Sequence, residues 1–452
     1  MSRRLIIILF ASLAGSSLLK PVVQASPDSD SLSLLYTTAP QYDPLAWIHG
    51  GERFPSGATV LVRRNGRTRP LAADFTASAD PAISFDGQRV LFAGKQKPTD
   101  PWQIWEVSLA EGKPRRISSG VEDCVRPFYL PEDRIVYARK IAGRFAIEAV
   151  SVTGGKPLGL TYGPENALPS DVLRDGRILF ESAFPGTAGA TPEIYTVYSD
   201  GSGVESYRCD HKDARYSAKQ LGSGDVVFAA GSTLAKFTPA RAQQVPVMLP
   251  AAEYAGDVAE DTSGEWIVPS RTNSSSPYQL AVWTPSSADL RPVVSDSRAN
   301  VLQPVVLHEH TVPNRHPSGL HDWAYANLLC LNSYTSKDKV AAGSIHSMRL
   351  YTRGDNGAAK LLGAASVERD GSFFIQVPGD QPLQIELLDT AGKTLKREKG
   401  FFWARRGEQR VCVGCHVGPE TAPENAVPMI LLKSTIPADL TGLSAPNASG
   451  GH

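Results

Sequence analysis

Cys412-Val413-Gly414-Cys415-His416 is the stretch of this chain whose residue types and spacing carry chemistry by themselves. Two thiols three positions apart reach the two vinyl groups of one porphyrin, and the adjoining imidazole then lies under the iron. With 5 Cys and 9 His among 452 residues, chance supplies such a string about 0.001 times if positions are independent. A redox-active C-x-x-C would open a helix inside a βαβ pattern, whereas this one follows strand-like residues and the turn-prone Arg406-Gly407. A zinc site would need a second Cys or His pair at ligand spacing. The motif therefore predicts one covalent haem c, with Cys412 and Cys415 as thioether sites and His416 as proximal ligand.

A six-coordinate iron needs a second axial ligand. Met429 lies 13 residues beyond His416 on the same arm, and an extended segment of that length spans about 43 Å, enough to pass the edge of a macrocycle. Pro419, Pro423 and Pro428 keep the arm non-helical. Against ligation stands the plainer role of filling a gap among Val427, Ile430, Leu431 and Leu432. His308 and His310, on one face of a short strand, and His346, on a face with Met348 and Leu350, compete as ligands. His316 and His321 compete too, and with Cys330 they form a possible separate metal cluster without known spacing. An open, five-coordinate iron is the remaining alternative. Arg405, Arg406 and Arg410 suit haem propionates, and Trp403 with Phe401 and Phe402 suits a porphyrin face. Each group equally reads as solvated charge or as a strand packed on a sheet. Cys124, Cys209 and Cys330 are too far apart in sequence to assign a pairing.

What holds the motif is read from the rest of the chain. From about residue 75 a turn dipeptide followed by a β-rich run recurs: Asp86-Gly87, Glu132-Asp133, Asp175-Gly176, Ser223-Gly224 and Ser263-Gly264, spaced 46, 43, 48 and 40 apart. That is the period of four-stranded propeller blades. Asp-Gly supplies the positive φ of a tight hairpin, and the Val, Ile and Phe behind it suit a half-buried strand. A degenerate sixth unit holds Leu32 to Thr37 and Thr59 to Arg63. The cadence resembles the TolB-type propeller. The fold class expected is all-β: a six-bladed TolB-like propeller, a small antiparallel sandwich and a haem-bearing carboxy-terminal segment. The boundaries expected are a signal peptide over 1–25, the propeller over 32–306, a His- and Pro-rich connector over 307–340, the sandwich over 341–403, the haem segment over 404–440 and a disordered tail over 441–452.

Lys plus Arg and Asp plus Glu both total 46, so a net charge of zero gives no reason to expect nucleic acid as a partner. Ser2-Arg3-Arg4, the apolar run from Leu5 to Leu19 and the small residues ending at Ala25 read as a cleavable export signal, with no later stretch of membrane-spanning length. A periplasmic or secreted location follows, where thiols oxidise and c-type haem is attached. No nucleophile elbow, phosphate loop or H-E-x-x-H is present.

Over Gly363 to Val377, Leu383 to Gly392 and Cys412 to Pro428 the chain resembles the family named for the hydrazine synthase alpha subunit. The phrases "LGAASVERDGSFFIQVPGDQPLQIELLD" and "RRGEQRVCVGCHVGPETAPENAVPM" carry the likeness. The resemblance implies a TolB-type propeller joined to a sandwich and a c-haem segment, with Cys412 and Cys415 as attachment points and His416 on the iron. Hydrazine synthase is a multi-haem, multi-subunit enzyme, whereas this chain has one attachment motif. The expected function is that of an exported monohaem c-type cytochrome in electron transfer with a redox partner protein. The alternatives are a haem enzyme with an open distal site and an envelope scaffold whose propeller binds a protein.

Overall fold

The computed structural model describes residues 32–110, 112–183, 191–208, 214–336, 339–354, 357–398, 400–414 and 425–442. The expected signal peptide, Cys209, Cys415, His416 and the tail beyond Gly442 lie outside the described residues. Six sheets built from successive antiparallel strands make the propeller, as the turn cadence predicts. In the third blade, for example, Cys124–Leu130, Arg134–Ile141, Arg144–Ser151 and Leu158–Gly159 follow one another outward. The ring closes where the last strand, Asn300–Val306, pairs with the first, Leu34–Ala39, and becomes the inner strand of the first blade. This closure ties the two ends of a 270-residue circuit together without any covalent link.

The innermost strand of each blade is interrupted at its middle. Register shifts occur between Ala79 and Ala82, Val125 and Phe128, Pro169 and Asp171, and Tyr216 and Lys219. In the sixth blade the inner edge is two short pieces, Glu253–Tyr254 and Ala259–Glu260, on one partner strand. At the breaks Asp80, Arg126, Ser217, Asp257 and Gln303 adopt left-handed backbone conformations, with φ between 50° and 56°. A β-bulge re-aims a side chain, and these turn inward to fill the central channel with hydrogen bonds.

Arg126 is the hub. Its guanidinium reaches Asp257 at 3.1 and 3.2 Å, Glu181 at 3.2 Å and the Pro169 carbonyl at 3.1 Å, while its backbone N–H donates to Asp80 at 3.0 Å. Asp80 also accepts from Arg53 at 2.5 Å and from Gln303 at 2.7 Å. Burial alone would raise the Asp80 carboxyl, but the Arg53 and Arg126 charges outweigh it and hold it below the usual range. Two arginines face three carboxylates here, one negative charge in excess. Glu181 absorbs that excess: burial pushes its carboxyl up to about 7 against the pull of Arg126.

The sandwich has two four-stranded sheets. One orders Gln409–Cys412, Tyr325–Cys330, Phe373–Pro378 and Ala438–Asp439, the outer two running parallel to their neighbours; the other orders Ala359–Ser366, Ser347–Arg353, Leu383–Leu388 and Thr394–Arg397. Leu328, Met348, Leu350, Ile375 and Val377 meet between them. One strand thus comes from the segment read as connector and two from the segment read as haem arm. The rest of the connector packs along one propeller face: Asn314 pairs with Arg174, Arg315 with Glu132, and His321 with Gly407 of the sandwich. A Cβ on Gly176 would collide with the Asn314 carbonyl, so this Asp-Gly turn serves the strap as well as the hairpin.

The two modules meet at the seam of the third and fourth blades. Trp403 inserts among Leu130, Val136, Leu160 and Val204, and its indole N–H donates to the Gly201 carbonyl at 3.0 Å. Beside it the Glu165 carboxylate accepts from the Phe401 N–H at 3.4 Å, and burial pushes its carboxyl up to about 7. For Glu165 and Glu181 the folded pKa lies above the unfolded one. Their contribution is fully present below about pH 4.5 and is lost as pH rises through about 7. Thermal melts are expected to show Tm falling by several degrees between pH 5 and pH 8, and the Glu165→Gln/Glu181→Gln variant to flatten that slope. An unchanged slope would remove both groups from the explanation.

Candidate functional site

The attachment motif begins at the end of an edge strand. Cys412 is the last residue of Gln409–Cys412 and lies opposite Cys330 in a parallel register. Its thiol is directed at the sandwich interior with Arg410, and burial raises it above the usual thiol range although Arg410 counteracts. A protonated, half-buried thiol is a poor nucleophile for stray disulfide exchange. The flanking residues point the other way: Val411 is 58% and Val413 36% exposed.

A chain of backbone contacts brings the later arm to the same end of the sheet. Leu331 N–H donates to the Cys412 carbonyl, Ser333 N–H donates to the Gly371 carbonyl, and the Asp370 carboxylate accepts from Met429 N–H at 2.7 Å. Ser372 accepts from Ile430 N–H at 3.0 Å, so two side chains of one turn cap the short helix Met429–Lys433. This helix starts directly after Pro428 and corrects the expectation of a wholly non-helical arm; proline fits the position before a first turn and blocks only an interior one. Lys433 pairs with Glu368, and Ala438–Asp439 joins the sheet. Met429 belongs to no buried cluster, and Val427 and Leu432 are 64% and 72% exposed. Bare apolar surface thus lies before and after Cys412 along the chain. It suits the face of a porphyrin, and the donor set suits it too, Cys412 being the described part. Cys415 and His416 lie outside the described residues.

The competing ligands separate by location. His346 is exposed at the sandwich end that carries Cys412 and Met429, its carbonyl accepting from Val367 N–H, while Met348 and Leu350 are fully buried, so it does not share their face. His308 and His310 lie in irregular chain rather than on a strand, at the propeller mouth, where His310 N–H donates to the Phe85 carbonyl. His316 stacks on Tyr198 with centroids 3.6 Å apart and His321 on Trp323 at 4.4 Å. These four belong to the propeller strap, and Cys330 is in the sandwich core, so the cluster of His316, His321 and Cys330 does not assemble. Among the described residues no group of three His, Cys, Asp or Glu side chains could hold a metal ion. Cys124 and Cys330 sit in different cores, which rules out a pairing between them in this fold.

The residues read as propionate partners hold the modules together instead. Arg405 pairs with Asp380 at 2.7 Å and donates to the Asp200 carbonyl, and Arg410 donates to the Val204 and Trp403 carbonyls. Arg406 is the exposed member, 3.6 Å from Asp380. Phe402 and Trp403 are taken by the sandwich and the blade seam. The sequence reading missed Asp370 and Ser372, whose only signal was an Asp-Gly-Ser turn between two β-rich runs.

The strand carrying Cys412 and the turn that anchors Met429 fall within one module, and that module has a known counterpart. Residues 334–417 match the model of the hydrazine synthase alpha subunit middle domain. Hydrazine synthase from Kuenenia stuttgartiensis superposes over 89% of this chain and 71% of its own, with a TM-score of 0.76 and 16% identity. The propeller and sandwich together therefore have a hydrazine synthase-like fold. TolB from Acinetobacter baumannii aligns over 61% of this chain and 66% of its own, with a TM-score of 0.46 and 12% identity. No curated protein matches the chain. Among the described residues no helix is long and apolar enough to cross a membrane.

Proposed function

We propose that this chain is an exported c-type haem oxidoreductase of hydrazine synthase alpha-like build. Haem is tethered through Cys412 and Cys415, with His416 as proximal ligand and the distal position open to a small molecule. One observation carries this reading: the C-x-x-C-H motif lies inside the segment matching the alpha subunit middle domain, and its first cysteine ends an edge strand between two exposed valines. When bound, haem supplies Fe(III)/Fe(II) cycling. The chain's own contribution would be to fix Cys412 at the end of a rigid sheet, to keep its free thiol protonated before haem is attached, and to clamp the later arm, with the exposed Val427, through Asp370 and Ser372. A redox partner protein is required to exchange electrons, and the bare apolar rim is where it would approach.

A second reading, the six-coordinate electron-transfer cytochrome, has the placement of Met429 at the same sheet end behind it. Ligand binding separates the two. Carbon monoxide added to the reduced protein is expected to shift the haem spectrum at once, and Met429→Ala is expected to leave the oxidised and reduced spectra unchanged. A reduced protein inert to carbon monoxide, whose far-red sulfur–iron charge-transfer band disappears in Met429→Ala, would establish the carrier and overturn the enzyme.

A further inference from the structure

Between the third blade and the sandwich lies a cleft of about 480 Å³, within the range of small-molecule sites. One wall is the blade hairpin Ala142-Gly143-Arg144 with Tyr162 and Gly163; the other is Arg353 and Gly354 of the sandwich with Pro382. The two arginines therefore come from different modules and line the same space. Arg144 is fixed by donating to the Gly163 carbonyl at 2.6 Å, while Arg353 is exposed at the end of its strand.

Three other arginines at or near buried positions show the contrast. Arg126, Arg139 and Arg405 each meet a carboxylate within 3.2 Å. Neither Arg144 nor Arg353 has an ion pair among the described residues. Burial disfavours the charge on Arg144; the Glu165 carboxylate opposes this more strongly than the Arg353 charge adds to it, but burial pushes the Glu165 carboxyl itself up to about 7, so one weakly ionised group faces both arginines. Glu165 is itself turned toward the Phe401 N–H. Two like charges gathered at the seam of two modules cost free energy unless an anion sits between them. Guanidinium groups bind planar or tetrahedral oxyanions through paired N–H donors, and one on each wall calls for two negative charges rather than one.

We propose that this cleft binds a small dianionic oxyanion, gripped by Arg144 from the propeller and Arg353 from the sandwich. The site is separate from the haem end, since the strand Ser347–Arg353 begins beside His346 there and ends here. It does not depend on the haem reading. An occupant would tie the two modules together across the seam that Trp403 fills on its other side.

The test is calorimetric titration of the full-length exported protein with inorganic phosphate, sulfate and succinate, at constant ionic strength set by chloride. Saturable one-to-one binding of at least one of them is expected, weakened tenfold or more in Arg144→Gln and in Arg353→Gln, with ligand-free melts of Arg353→Gln unchanged. Phosphate and sulfate without succinate would identify a tetrahedral anion, and succinate alone a dicarboxylate; either supports the site. No saturable binding of any of the three, or binding that survives both substitutions, overturns it. The anion-induced rise in Tm provides a second readout and should vanish in the same variants.

Discussion

Replacing Cys415 by alanine, alone or with Cys412→Ala, is expected to abolish both haem staining of denatured gels and the reduced α-band of c-type haem, while the protein remains folded. A thioether forms when a thiol adds across a porphyrin vinyl group, so denaturant-resistant haem depends on the two sulfurs and on the His416 imidazole beside them. The variants should keep their fold for a local reason. Cys412 ends an edge strand and packs at the rim of the core, where alanine removes one sulfur, while the centre of the sandwich is held by Leu328, Met348, Leu350, Ile375 and Val377. Near-wild-type melting of the Cys412→Ala/Cys415→Ala protein without haem would thus separate attachment from folding. If intact mass shows the wild type at its bare polypeptide weight, the haem reading fails and the hydrazine synthase-like fold stands without it.

The propeller was legible in the sequence because its signal is local. Each Asp-Gly or Ser-Gly turn, and Glu132-Asp133 in the third blade, fixes a hairpin, and the Val, Ile and Phe behind it fix a strand, so five of six blades are marked by a turn. The closing pair of Asn300–Val306 with Leu34–Ala39 was not legible, since nothing within either segment encodes a partner 266 residues away. The channel bulges left a trace that went unread. Asp80-Pro81, Arg126-Pro127 and Gln303-Pro304 place proline inside inner strands, where it removes a ladder donor and marks an interruption.

At the candidate site the balance is reversed. The expectation of covalent haem rests on spacing, and C-x-x-C-H carries it in five residues. What surrounds it depends on tertiary placement: Arg405, Arg410 and Trp403 have the residue types of a porphyrin pocket but spend them on Asp380, Asp200, Val204 and the blade seam. Adjacency in sequence suggested one environment, and alternation along the chain from 403 to 412 gives it two. The sandwich also draws strands from both sides of its expected limits, because parallel edge strands such as Gln409–Cys412 need a distant neighbour and show little of their own pattern.

Arg126→Met is expected to destabilise the propeller by about 3–5 kcal/mol, the cost of removing one partner from a buried ionic network. A fall in Tm of roughly 10 °C follows for a domain of this size. The argument rests on what is left behind. Arg126 is 5% exposed and joins Asp257, Glu181, Asp80 and the Pro169 carbonyl, drawn from three blades other than its own. Without it Asp257 and Glu181 lose their only guanidinium partner among the described residues, and the excess of one carboxylate over arginine becomes two. Glu181, already pushed up to about 7, would be driven higher, so the loss should be smaller at pH 5, where it carries its proton, than at pH 8. Arg126→Lys keeps the charge but cannot reach three acceptors and should lose less. Adding Glu181→Gln to Arg126→Met should recover part of the loss at pH 8, because it removes one stranded charge. A melt of Arg126→Met within a degree of wild type at both pH values would mean that the channel network specifies how the blades meet without stabilising their closure.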